Sequence, residues 1–96
     1  MEDESILPGG HSLAAAYPDP FNPGTTIEYT LVTAQRISVK VRDPWGQMVA
    51  VLVDEFQTAG VHRIAWEAGC NIPSGTYFYT LETAAGAVTR SVTLIK

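Results

Sequence analysis

From Thr26 to Leu31 the chain alternates strictly, with Ile27, Tyr29 and Leu31 on one face and Thr26, Glu28 and Thr30 on the other. A period of two puts successive side chains on opposite sides of an extended backbone, so this segment predicts a half-buried β-strand. Arg36 to Asp43 repeats the pattern, with Ile37, Val39 and Val41 inward and Arg36, Ser38, Lys40 and Arg42 outward. Asp43-Pro44-Trp45-Gly46 follows and predicts a reversal, because Pro44 presets its own φ and Gly46 accepts a positive one. Met48 to Val53 is almost continuously apolar, with Asp54 as its expected end. Such a run fits a strand covered on both faces or one that passes from one sheet to the other, and the period does not choose between them.

Val61 to Ala68 places Ile64 and Trp66 on one face with Arg63 and Glu67 on the other, and His62 shares the parity of Ile64. After a turn at Ile72-Pro73-Ser74-Gly75, Thr76 to Thr83 sets Tyr77, Tyr79 and Leu81 against Phe78, Thr80 and Glu82. Ala84 to Ala87 gives a short hairpin connection into Val88 to Ile95, where Val88, Val92 and Leu94 share one parity. Arg90 interrupts that inward series; a bulge, an edge position or a snorkelling side chain would each accommodate it. No segment has helical periodicity. With His11 to Ala16 as an edge strand, the pattern predicts an all-β, immunoglobulin-like two-sheet antiparallel sandwich of about seven strands.

The segment Tyr17-Pro18-Asp19-Pro20-Phe21-Asn22-Pro23 has a different character. Pro18, Pro20 and Pro23 fix three φ angles, withhold three backbone donors and hold the residues before them extended, which makes a rigid corner. Phe21 is the large apolar side chain between those prolines and is expected to plug one end of the sandwich. Asn22 is suited to bonding nearby backbone groups in the turn.

Ninety-six residues at 46% apolar content allow one domain around one core, with little room to spare for a catalytic pit. Residues 1–10 are acidic and then carry Pro8, Gly9 and Gly10, a composition read as a flexible linker ahead of a folded unit at 11–96. Three of the ten acids, Glu2, Asp3 and Glu4, lie in that linker, which leaves seven acids against six bases in the body. Arg36, Lys40, Arg42, Arg63 and Arg90 are scattered and form no stripe that would displace counterions from a phosphate backbone, so no nucleic-acid partner is expected. No run approaches the ~20 apolar residues of a membrane span, and acids follow Met1 where a signal peptide would carry positive charge.

Candidate chemistry is sparse. His11 and His62 are far apart with no Cys or carboxylate at ligand spacing, and the acids form no calcium loop, so neither a metal nor any other cofactor is expected. Cys70, in an expected turn between Gly69 and Asn71, has no nearby His to activate it. Ser74-Gly75 lacks the flanking glycines of a nucleophile elbow, so the chain is read as no enzyme.

Three motifs carry a family resemblance. Tyr17 to Ile27, Val41-Arg42-Asp43-Pro44-Trp45-Gly46-Gln47-Met48-Val49 and Ser74-Gly75-Thr76-Tyr77-Phe78-Tyr79 stand in the order and spacing seen in the C-terminal sorting domains of the type IX secretion system, as does the ending from Arg90 to Lys96. The chain resembles that family over about residues 11–96, and more loosely the immunoglobulin-like domain of flagellar hook-capping proteins. Asp19 stands where the family usually has Asn, and Arg90 where many members have Lys.

The resemblance implies a secreted or cell-surface protein that crosses the periplasm of a Gram-negative-type bacterium, and a domain that is the address of a cargo attached upstream. Its implied partners are the outer-membrane secretion machinery and a sortase-like peptidase that cuts in the linker, within Met1 to Gly10. Arg90, Val92, Leu94, Ile95 and Lys96 are the implied recognition segment. Pro18, Pro20, Phe21, Asn22, Pro23, Asp43, Gly46, Gly75 and Tyr77 are read as structural turn residues. Two other readings stand beside this one: a structural or spacer domain, and carbohydrate binding through Trp45 and Phe78.

Overall fold

The structure, a computed structural model, describes residues 4–6, 9–69 and 72–96. Among these residues eight strands form two four-stranded sheets: β1 (Glu4–Ile6), β2 (Ser12–Ala14), β3 (Gly24–Leu31), β4 (Gln35–Arg42), β5 (Met48–Gln57), β6 (Gly60–Glu67), β7 (Gly75–Thr83) and β8 (Gly86–Leu94). The sheet orders are β1-β2-β3-β6 and β5-β4-β7-β8, and every strand pair is antiparallel. The connections β3–β4, β5–β6 and β6–β7 all pass between the sheets, as in an immunoglobulin-like sandwich. Seven of these strands are those the sequence predicts.

The eighth, β1, falls within the expected linker and pairs with β2 from Glu4↔Ala14 to Ile6↔Ser12. Residues 1–3 and 7–8 of that linker, and the turn expected at Cys70 and Asn71, lie outside the described residues.

Ile27, Tyr29 and Leu31 of β3 and Ile37, Val39 and Val41 of β4 are at most 2% exposed and face each other across the interior with Tyr79 and Leu81. This is the side-chain set that the period of two selects. Burial of such side chains contributes about 1.5–3 kcal/mol each, and their alternation fixes the register, since a one-residue slip would turn every apolar group to water.

The apolar run in β5 resolves differently from either expectation. Its register with β4 slips between Val39 and Lys40 and again between Val41 and Arg42, so Leu52 and Val49 are extra residues in the ladder. These two bulges change the parity, and Val49, Ala50, Leu52 and Val53 all pack against the core while Met48 and Val51 are exposed. Strand β5 is thus an edge strand covered on one face, and bulges on an edge also discourage pairing with another chain. Asp54 does not end it: the carboxylate faces outward to Arg36 at 3.0 Å, and the strand continues to Gln57.

On the outer face of the same sheet, Glu82 accepts hydrogen bonds from Ser38 Oγ at 2.8 Å and an ion-pair contact from Lys40 at 3.0 Å. The Ser38 bond first, and then Lys40, hold the Glu82 carboxyl below its ordinary value. A lowered folded-state value favours folding above the unfolded value and loses that contribution as pH falls. Acid titration of wild-type stability is therefore expected to steepen below about pH 4.3, and Glu82→Gln to flatten part of that slope. Urea midpoints measured from pH 6 down to the acid limit check it, and parallel curves for the two proteins would contradict it.

Candidate recognition surface

The proline motif lies against the end of the last strand. Tyr17 exchanges backbone bonds with Thr26, its N–H donating at 2.9 Å and its carbonyl accepting at 2.8 Å, which fastens the start of the motif to β3. Thr25 Oγ1 donates to the Pro18 carbonyl at 2.8 Å, and Ala68 N–H to that of Pro23 at 2.9 Å. The peptide bonds before Pro18, Pro20 and Pro23 are cis. Between these anchors the chain leaves the first sheet and meets the second.

Phe21 donates its N–H to the Thr93 carbonyl at 2.9 Å and accepts from Ile95 N–H at 3.0 Å, forming a one-residue parallel bridge to Leu94. Asp19 Oδ1 accepts from Thr93 N–H at 3.0 Å. Pro20 cannot donate to β8, and the carboxylate of Asp19 takes the place of a backbone acceptor there. The turn bond expected of Asn22 does not form among the described residues, where Asn22 is exposed; the side-chain bond of this motif is made by Asp19, and it reaches the distant β8. Asp and Asn both offer an Oδ1 acceptor, so the departure from the usual Asn keeps this contact.

Phe21 does plug this end, 2% exposed. Its ring lies 5.2 Å from that of Trp66, which in turn meets Tyr77 edge-on at 5.6 Å. Tyr77 donates to the Pro73 carbonyl at 2.6 Å, and its burial, reinforced by the negative charge of Asp43, raises the phenol's pKa. Gly75 opens β7 opposite Leu94, and the neighbouring Ser74 Oγ accepts from Lys96 N–H at 2.9 Å. Motifs far apart in sequence therefore converge at one end: the proline corner, the Ser74-Gly75 turn and the terminal segment.

The turn at Asp43 works through its side chain. Oδ1 accepts from Trp45 N–H at 3.0 Å and Gln47 N–H at 2.8 Å, while Gly46, at φ +89°, donates to the Asp43 carbonyl at 3.0 Å. A Cβ at Gly46 would be strained by that φ. The turn holds Trp45 83% exposed at the rim of a cleft of about 290 Å³ lined by Asp43, Val49, Ile72, Pro73 and Tyr77. Phe78 lines another cleft, with Ala15, Asp19, Thr89, Arg90 and Ser91. Trp45 and Phe78 therefore do not form one stacking platform.

The residues of the expected recognition segment divide into two sets. Val92 and Leu94 are each 1% exposed and belong to the core, whereas Ile95 is 52% exposed and Lys96 is exposed. Arg90 sits opposite Tyr79 in an unbroken β7–β8 register, which excludes a bulge. The edge position accommodates it: its half-buried side chain reaches across to the other sheet, with Nη1 3.5 Å from the Leu13 carbonyl. Asp19, Ser74 and Thr93 complete the arrangement; sequence marked Asp19 as a departure from the usual Asn and placed Ser74 in a turn, but gave none of the three a part in holding the terminal segment. The one available signal was that Asp19, between two prolines, has a side-chain acceptor where backbone donors are missing.

Searches of curated proteins and of solved structures found no match. The family model described as the secretion system C-terminal sorting domain matches residues 15–96, from the segment entering the proline motif to Lys96, and by that match the chain belongs to this family of type IX sorting signals.

Proposed function

We propose that this domain delivers an upstream cargo as a folded address, and that the outer-membrane machinery reads the end of the sandwich where the proline corner meets Arg90 to Lys96. The family implies attachment to a cargo, dealings with the type IX machinery and export to the surface or beyond; the surface read is our assignment. The observation that carries it is the bonding of Asp19 and Phe21 to Thr93 and Ile95, which gives the terminal segment one trajectory. Val92 and Leu94 act from inside by holding the strand, whereas Ile95 and Lys96 are exposed, with Lys96 Nζ donating to the Gly69 carbonyl at 3.3 Å. Arg90 joins the two sheets beside them.

A rigid end of this kind suits recognition because little conformational entropy is lost on docking. The domain works without catalysis of its own. A sortase-like peptidase then separates it from its cargo in the segment from Met1 to Gly10, after passage through the periplasm of a Gram-negative-type cell. The test is a fluorescent cargo fused to this chain in a type IX-competent host. Removal of Ile95 and Lys96, which leaves every core side chain in place, is expected to abolish surface fluorescence. Unchanged delivery by a truncated domain that still melts cooperatively would overturn the assignment.

A further inference from the structure

We infer that the sorting signal is composite: Asp19 and Phe21 are positioning residues that present Ile95 and Lys96 to the secretion machinery, so the terminal segment cannot act as a free linear tail. The inference rests on the sorting reading above and deepens it, because it makes delivery depend on bonds from a motif more than seventy residues upstream that fix the terminal segment without themselves being read.

Three main-chain groups decide the matter. Alternate residues of an edge strand direct their N–H and C=O groups away from the sheet. On β8 these include Thr93, and the bonds continue to Ile95 just beyond the strand. Thr93 N–H goes to Asp19 Oδ1, Thr93 C=O to Phe21 N–H, and Ile95 N–H to Phe21 C=O. Beyond this point Lys96 N–H is held by Ser74 Oγ. The terminal segment is thus gripped on one side by the proline corner and on the other by the turn before β7. Without the corner, Thr93 and Ile95 would present open backbone groups at an edge, and the segment carrying Ile95 would lose its fixed direction.

The corner itself is stiff. Three prolines limit its freedom, and bonds from Thr26, Thr25 and Ala68 fix it at both ends. Phe21 is anchored further by its ring against Trp66. The surface so fixed is a ridge of exposed Pro18, Asp19 and Pro20 beside Ile95, which the secretion machinery meets in one preset shape.

Asp19→Ala and Asp19→Asn separate positioning from direct reading. Amide hydrogen exchange on the purified domain is expected to quicken at Thr93 at least tenfold in Asp19→Ala, to stay near wild type in Asp19→Asn, and to be unchanged at Val41 and Leu81 in both. In the fluorescent-cargo assay Asp19→Ala is expected to cut surface delivery at least tenfold, with rescue by Asn. Unaltered exchange at Thr93 in Asp19→Ala overturns the clamp, and wild-type delivery by Asp19→Ala overturns the composite signal. Failure of Asn to rescue delivery while exchange is normal overturns positioning in favour of direct reading of the carboxylate charge. A wild-type fusion that is not exported would instead count against the sorting reading, and the exchange result would still decide the clamp.

Discussion

Phe21→Ala is expected to destabilise the domain by about 3–5 kcal/mol, the range for removing a fully buried aromatic ring and leaving most of its volume empty. Phe21 is 2% exposed and lies in a row of three rings, Phe21, Trp66 and Tyr77, that closes one end of the sandwich. Such a row cannot collapse freely, because Trp66 is fixed in β6 and Tyr77 in β7, strands that belong to opposite sheets. For a domain of this size, total stability is about 5–15 kcal/mol, so the loss is a large share of the whole. At ~4–8 °C per kcal/mol the melting temperature should fall by roughly 12–40 °C. Phe21→Leu keeps much of the volume and should cost markedly less. Thermal and urea melts followed by tryptophan fluorescence check both. A fall of only a few degrees in Phe21→Ala would show that Phe21 does not hold this end.

The contrast between Phe21 and Asp19 shows what the sequence exposes and what it hides. Phe21 stands out because it is the one large apolar group in a run that otherwise cannot pack, and its burial follows from the hydrophobic effect alone. Asp19 bonds to Thr93 across 74 positions of chain, and no period or spacing reports such a partner. The strands themselves were legible wherever one face meets the core and the other meets water, as in β3, whose burial alternates without exception. They were illegible where the ladder is irregular. In β5 two bulged residues turn an apolar run into paired inward positions, which depends on the register with β4 and not on local preference.

Long-range contacts also explain the remaining surprises. Arg90 keeps an inward parity because an edge strand lets its guanidinium reach the opposite sheet, and Glu4–Ile6 forms a strand because β2 offers a free edge. The polar composition around β1 gave no sign of this. Trp45 and Phe78 were paired in the carbohydrate reading, yet the clefts they line are different, and only the fold separates them. The family signature was legible as three motifs and an ending; that the proline motif, the Ser74-Gly75 turn and the ending meet at one end is a property of the sandwich.

Tyr79→Phe is expected to cost about 2 kcal/mol, although it removes a single oxygen. Tyr79 is fully buried in β7, and its hydroxyl accepts from Ala16 N–H at 2.7 Å while donating to the Ala14 carbonyl at 2.9 Å. These bonds tie the segment leaving β2 to the opposite sheet, at the side where Arg90 also crosses. Ala16 is 4% exposed, so phenylalanine would leave its N–H buried and unpaired, a penalty of about 1–3 kcal/mol that water cannot relieve. Tyr77→Phe provides the comparison, since it releases one carbonyl acceptor at Pro73 and should cost about 1 kcal/mol. The two substitutions should respond to alkali in the same direction, since burial raises the pKa of both phenols. Burial raises the pKa of the Tyr79 phenol, so the unfolded chain ionises first and stability falls as pH rises beyond about 10. Tyr79→Phe should therefore be less stable than wild type at pH 7 and close part of that gap at pH 11. Urea melts at the two pH values test this. Equal stability at pH 7 would mean that the entry segment is held by packing and not by this hydroxyl.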